Sequence, residues 1–83
     1  MKKYLVDVYL PAVGKHFDVF LPAGKRVGEA TQLLVKIVEA STNGGYKGTD
    51  DSLLLRVSDG EPLEPNVFVY DAGIRNSTKL ILI

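Results

Sequence analysis

Apolar and polar residues alternate near both ends of the chain and recur at helical spacing in between. Tyr4, Val6, Val8 and Leu10 alternate with Leu5, Asp7 and Tyr9. Period two is strand geometry, because successive side chains point to opposite faces. Pro11 and Gly14 then mark a hairpin connection. A second alternation follows, with Phe17, Val19 and Leu21 on one face and His16, Asp18 and Phe20 on the other, until Pro22 and Gly24 stop it. The first third of the chain thus predicts a β-hairpin.

The period then changes. Val27, Ala30, Leu34, Ile37 and Val38 recur at intervals that place them on one helical face, and Leu33 widens the stripe. Asn43-Gly44-Gly45 supplies a stop, since these residues tolerate the left-handed conformation that ends helices. No Ser, Thr, Asp or Asn precedes Val27 to cap the start. The spacing predicts a helix over about residues 27–41.

Residues 42–52 are polar and glycine-rich and read as a mobile loop. Residues 53–57 predict a short strand. Its parity follows from Arg56: with Leu55 and Val57 inward, Leu54 and Arg56 face out, whereas the opposite choice buries Arg56 without an evident partner. Asp59-Gly60 is a hairpin signal, and residues 61–64 have room for a brief return strand. Residues 67–73 are irregular, with space for one tight helical turn. A last strand runs over residues 78–83, Leu80 and Leu82 alternating with Ile81 and Ile83. One long helix must pack across a single face of the sheet. The expected fold is α+β, in the order β-β-α-β-(β)-β, with a mixed four- to five-stranded sheet and a single domain over residues 1–83.

This order resembles the β-grasp fold of ubiquitin-like proteins. Leu63-Glu64, then Val69-Tyr70-Asp71-Ala72-Gly73-Ile74, then Ser77-Thr78-Lys79-Leu80 follows ubiquitin's closing pattern of an apolar anchor, a tight turn, Ile and a final strand. Leu55-Arg56-Val57, Tyr70-Asp71-Ala72-Gly73-Ile74 and Leu80-Ile81-Leu82 look still more like the YukD/EsaB family, small bacterial ubiquitin-like proteins associated with type VII secretion systems. Ubiquitin-like modifiers and sulfur carriers of this fold act through a C-terminal diglycine whose carboxylate is activated. Here the sequence stops at Ile83 within the last strand. If that end is native, conjugation and sulfur carriage are excluded; a modifier whose tail lies beyond this sequence is the alternative.

Charge and composition narrow the classes. Ten Lys and Arg balance ten Asp and Glu, without the positive excess usual in nucleic-acid binders, so no nucleic acid is expected as partner. The absence of cysteine leans towards a reducing cytoplasm. No apolar run reaches the length of a membrane span, so direct membrane insertion is not expected. An intracellular, cytoplasmic protein is the simplest reading.

Chemistry-bearing motifs are sparse. His16 is the lone histidine and sits on the outer face of the second strand, where ordinary surface is the expectation. Asp50-Asp51 lacks the further ligand spacing of a cation site. Gly44-Gly45-Tyr46-Lys47-Gly48-Thr49 follows a helix and has Lys before Gly, unlike a phosphate-binding loop. Lys2-Lys3 and Lys25-Arg26 are short basic pairs, read as solvated charge. Neither an enzyme nor a cofactor is implied.

The sheet's uncovered face offers more. Strand parity puts Leu5, Tyr9, Phe20, Leu54, Arg56, Ile81 and Ile83 there. The β-grasp order that the resemblance implies, with the first and last strands as central neighbours, gathers the six apolar residues into one patch with Arg56 beside them. A contiguous apolar patch usually marks an interaction site, and Tyr, Phe and Arg are enriched at interface hot spots. The expectation is a non-catalytic adaptor or regulatory module binding a protein through this face. By resemblance, that partner is a secretion-system component; a homodimer through the same face fits the residues equally.

Overall fold

A computed structural model of the chain describes residues 2–83. Strands β1 (Lys3–Leu10) and β2 (Lys15–Pro22) form the hairpin, in antiparallel register from Lys3 opposite Pro22 to Leu10 opposite Lys15. Helix α1 spans Val27–Ser41, strand β3 Leu54–Arg56 and strand β4 Lys79–Leu82, with a 3-10 turn at Val69–Asp71. The sheet order is β2-β1-β4-β3. The centre pair β1 and β4 is parallel and the outer pairs are antiparallel. This is the α+β β-grasp arrangement that the element order implies.

The alternation does what period two requires. Tyr4, Val6, Val8 and Leu10 of β1, Val19 and Leu21 of β2, and Leu80 and Leu82 of β4 are buried on the helix side. Each such aliphatic side chain contributes roughly 1.5–3 kcal/mol of transfer free energy. Helix α1 lacks a side-chain cap, and the chain supplies one from a distance. The Val27 and Gly28 N–H groups donate to the Val67 and Pro65 carbonyls at 2.8 and 2.9 Å, satisfying donors that a helix start otherwise leaves open. The Arg26 N–H also donates to Glu29 Oε1 at 3.3 Å.

Three expectations need correction. The buried stripe of α1 is Val27, Ala30, Thr31, Leu34, Val35 and Val38, whereas Leu33 and Ile37 stand about half exposed. Thr31 can be buried because its hydroxyl donates to the Val27 carbonyl at 2.8 Å. Strand β3 has the opposite parity. Leu54 pairs with Leu82 and is 1% exposed, so it belongs to the core rather than to the outer face. Arg56 is turned with it, away from that face. Its Nη1 donates to the Ala72 carbonyl at 3.3 Å, and its Nε lies 3.3 Å from Asp59 Oδ2 without hydrogen-bond geometry. The partners whose apparent lack argued for the other parity are therefore present.

The third correction concerns residues 42–52, which are pinned rather than free of the core. Tyr46 is buried, with its hydroxyl 3.1 Å from Ser52 Oγ. Gly48 N–H donates to Glu39 Oε2 at 3.1 Å, and Gln32 Nε2 donates to the Thr49 carbonyl at 3.1 Å. The turn at Asp59-Gly60 forms as expected, Gly60 taking a φ of 70°. The return strand is reduced to one bridge between Leu55 and Pro62.

Candidate functional site on the outer sheet face

Cross-strand register fixes what the uncovered face presents. At one end Leu5 stands opposite Phe20. Two residues along, Asp7 lies between Asp18 and Lys79. Two further on, Tyr9 lies between His16 and Ile81, and Ile81 faces Leu55. Beyond that row, Leu53 and Ile83 exchange both backbone hydrogen bonds at 3.0 Å. Val57 sits beside Lys79 through its N–H, which donates to the Lys79 carbonyl at 3.2 Å.

The expected single patch is thus two patches divided by a charged row. Tyr9, Ile81 and Ile83 do come together. Leu54 and Arg56 are absent from the group, and Leu53, Leu55 and Val57 take their places. Leu53, Val57 and Ile83 are exposed, while Tyr9, Leu55 and Ile81 are half-buried by their neighbours. Leu5 and Phe20 share the face but lie across the Asp18-Asp7-Lys79 row from this cluster. The three residues missed were within reach of the sequence: in Leu53-Leu54-Leu55 hydropathy leaves parity open, and the choice then rested on Arg56 alone.

The charged row is compensated only in part. Asp7 and Asp18 are directly opposed, which is unfavourable for like charges, and Lys79 flanks Asp7 on its other side. His16 Nδ1 lies 2.9 Å from Asp7 Oδ1, and its ring packs on Tyr9 with centroids 4.7 Å apart. His16 is therefore a surface strand neighbour that pairs Asp7 and supports Tyr9. A shallow groove of about 320 Å³ runs here, lined by Asp7, Tyr9, His16, Val57, Lys79 and Ile81. Among the described residues, no group of three or more His, Cys, Asp or Glu side chains is placed to hold a metal ion. No helix among them is long and apolar enough to cross a membrane.

By sequence the chain matches no protein-family model and no curated protein. Its structure matches solved domains over its whole length. The EccD5 ubiquitin-like domain from Mycobacterium xenopi superposes with a TM-score of 0.81 at 20% identity, covering 100% of this chain and 94% of that one. The ubiquitin-like domain of the type VII secretion system protein EccD1 of Mycobacterium tuberculosis gives 0.78 at 19% identity, covering 100% and 99%. A chain of an ESX-5 inner membrane complex gives 0.81 at 21% identity, with all of this chain matched to 21% of that longer one. The fold is the ubiquitin-like β-grasp.

Proposed function

We propose that the chain is a protein-interaction module that acts without catalysis and docks a protein component of a type VII secretion machinery through the Tyr9–Ile81 cluster. One observation carries the reading. Six apolar side chains from β1, β4 and the β3 region (Tyr9, Leu53, Leu55, Val57, Ile81 and Ile83) adjoin one another on a face that no element among the described residues covers. Surfaces of this kind rimmed by charge are interaction sites more often than accidents. Asp7, His16 and Lys79 supply such a rim, with Tyr9 as the aromatic anchor that interface centres favour. The likeness to EccD ubiquitin-like domains supports the choice of partner class.

The test is site-specific photo-crosslinking in cells that carry a type VII system. A benzophenone side chain at Ile81 should capture a component of that secretion machinery, and one at Lys36 on the helix should not. A Tyr9→Glu change placed with the Ile81 probe should abolish capture in a protein whose circular dichroism is unaltered. Equal capture from both positions would place the contact elsewhere.

A further inference from the structure

We propose that the end of the molecule where β1 begins and β2 ends is a docking surface for the anionic headgroups of a lipid bilayer. Cations and acids cancel over the chain, but the fold separates them. Lys2 and Lys3 lead into β1, Lys25 and Arg26 join β2 to α1, and Arg75 follows the 3-10 turn. Backbone contacts hold these segments side by side. The Ala23 N–H donates to the Lys2 carbonyl at 3.0 Å, Tyr70 N–H to the Ala23 carbonyl at 3.2 Å, and Val69 N–H to the Lys25 carbonyl at 2.9 Å. Arg75 Nη1 donates to the Tyr70 carbonyl at 3.1 Å.

Residues 2–5, 20–29 and 68–77 thus form one pole carrying five cations and two acids, Glu29 and Asp71. Its excess of three positive charges is balanced by an equal negative excess over the rest of the chain. Among the described residues, none of the five cations forms a salt bridge. They stand among exposed apolar groups instead: Leu5, Phe20 at 54% and Tyr70 at 45%. Apolar side chains ringed by unpaired cations match a bilayer surface, where headgroup phosphates meet the acyl boundary.

The aromatic rings decide against a single-stranded nucleic acid, whose bases need free ring faces for stacking. Lys3 Nζ sits 4.5 Å from the Phe20 ring centre, and Arg26 lies 4.7 Å from that of Phe68. Lys2 and Arg75 stand 5.5 and 5.7 Å from that of Tyr4. Phe68 is further stacked on Tyr70, with centroids 5.4 Å apart and planes 9° from parallel. Three of the pole's four rings therefore already carry a cation, and an aliphatic Leu5 offers a base nothing. The Asp18-Asp7-Lys79 row separates this pole from the Tyr9–Ile81 cluster, so that cluster stays open when the pole faces a membrane.

Vesicle co-sedimentation tests the assignment. The chain should sediment with vesicles of equal parts phosphatidylglycerol and phosphatidylcholine, not with phosphatidylcholine alone, and should be released by salt. Each basic residue near an anionic surface multiplies partitioning roughly fivefold, so a Lys3→Glu, Lys25→Glu variant should bind at least about twentyfold less. A Lys15→Glu, Lys47→Glu variant makes the same change in net charge at the opposite end of the sheet, beside the β1–β2 turn, and should stay within about twofold of wild type at physiological salt. Phe20→Ser keeps every charge and should weaken binding severalfold; it decides the matter alone if the pole variant fails to fold. No wild-type binding, equal losses in both double variants, or an unaffected Phe20→Ser would overturn the proposal. So would tighter binding to oligothymidylate than to the phosphatidylglycerol vesicles.

Discussion

Replacing Gly48 by alanine tests how the 42–52 segment is held. A Cβ at this position would overlap Val35 Cγ1, come within 2.9 Å of Val35 Cγ2, and lie 3.2 Å from Ser52 Oγ. Val35 is 4% exposed on α1, and a β-branched side chain in a helix has essentially one rotamer, so it cannot turn aside. Gly48 does not occupy the left-handed region, so no backbone strain adds to the steric cost. Overpacking of this kind costs about 1–3 kcal/mol. The loss of unfolded-state freedom on Gly→Ala returns about 0.4–1 kcal/mol. Overlap with both Val35 methyls puts the cost in the upper part of that range, so the net expectation is destabilisation of about 1–2.5 kcal/mol, a fall in Tm of roughly 5–20 °C for a domain of this size. Urea and thermal unfolding followed by circular dichroism would measure it. Val35→Ala removes the obstructing methyls and costs about 2 kcal/mol alone. Combined with Gly48→Ala it should lose less than the sum by about 1 kcal/mol, because the two groups compete for one space. A Gly48→Ala protein as stable as wild type, or strict additivity in the pair, would refute the reasoning.

Other outcomes follow from the same geometry. Leu54→Ala should destabilise by about 2–5 kcal/mol and Leu55→Ala by much less; equal losses in urea titrations would contradict the strand parity. Tyr46→Phe should cost about 1 kcal/mol through the lost hydrogen bond to Ser52 Oγ, and should raise amide exchange over residues 46–52 before it affects the sheet. Tyr9→Glu with Ile81→Glu should leave thermal unfolding within a few degrees of wild type, since both side chains are outside the core, while abolishing partner capture. A large loss of stability in that variant would mean that the cluster is structural.

The hairpin, the helix bounds and the last strand were legible because each is long enough for its period to show. Strand β3 has three residues, too few for alternation to declare itself among three consecutive leucines. The choice then rested on the cost of burying Arg56, and that reasoning failed because the partners, Asp59 and the Ala72 carbonyl, come from a turn and a distant segment. Similarly, Leu33 and Ile37 outrank Thr31 in hydropathy, yet Thr31 is buried because the helix itself satisfies its hydroxyl. Tyr46 carries the signal for the 42–52 segment: it is the aromatic in a stretch of Gly, Asn and Thr, and it anchors that stretch to the core. The division of the outer face was implicit in Asp7, Asp18 and Lys79. It became visible only when the register set them in one row.

The parallel pairing of β1 with β4 has a further consequence for how the molecule comes into being. Leu5 N–H is met by Asn76 Oδ1 from 71 positions away, and the two strands form the middle of the sheet. During synthesis, residues 3–41 can assemble a hairpin and helix, but the seam that joins this half to β3 is made only after every other strand of the sheet. Closing so long a loop is entropically costly only to a logarithmic degree, yet it makes the decisive contacts non-local and slows folding accordingly. Until β4 docks, one side of β1 stays open with a row of unpaired amides and carbonyls, the feature that invites pairing with the wrong chain. The nascent domain is therefore most vulnerable to aggregation in the interval before β4 is available.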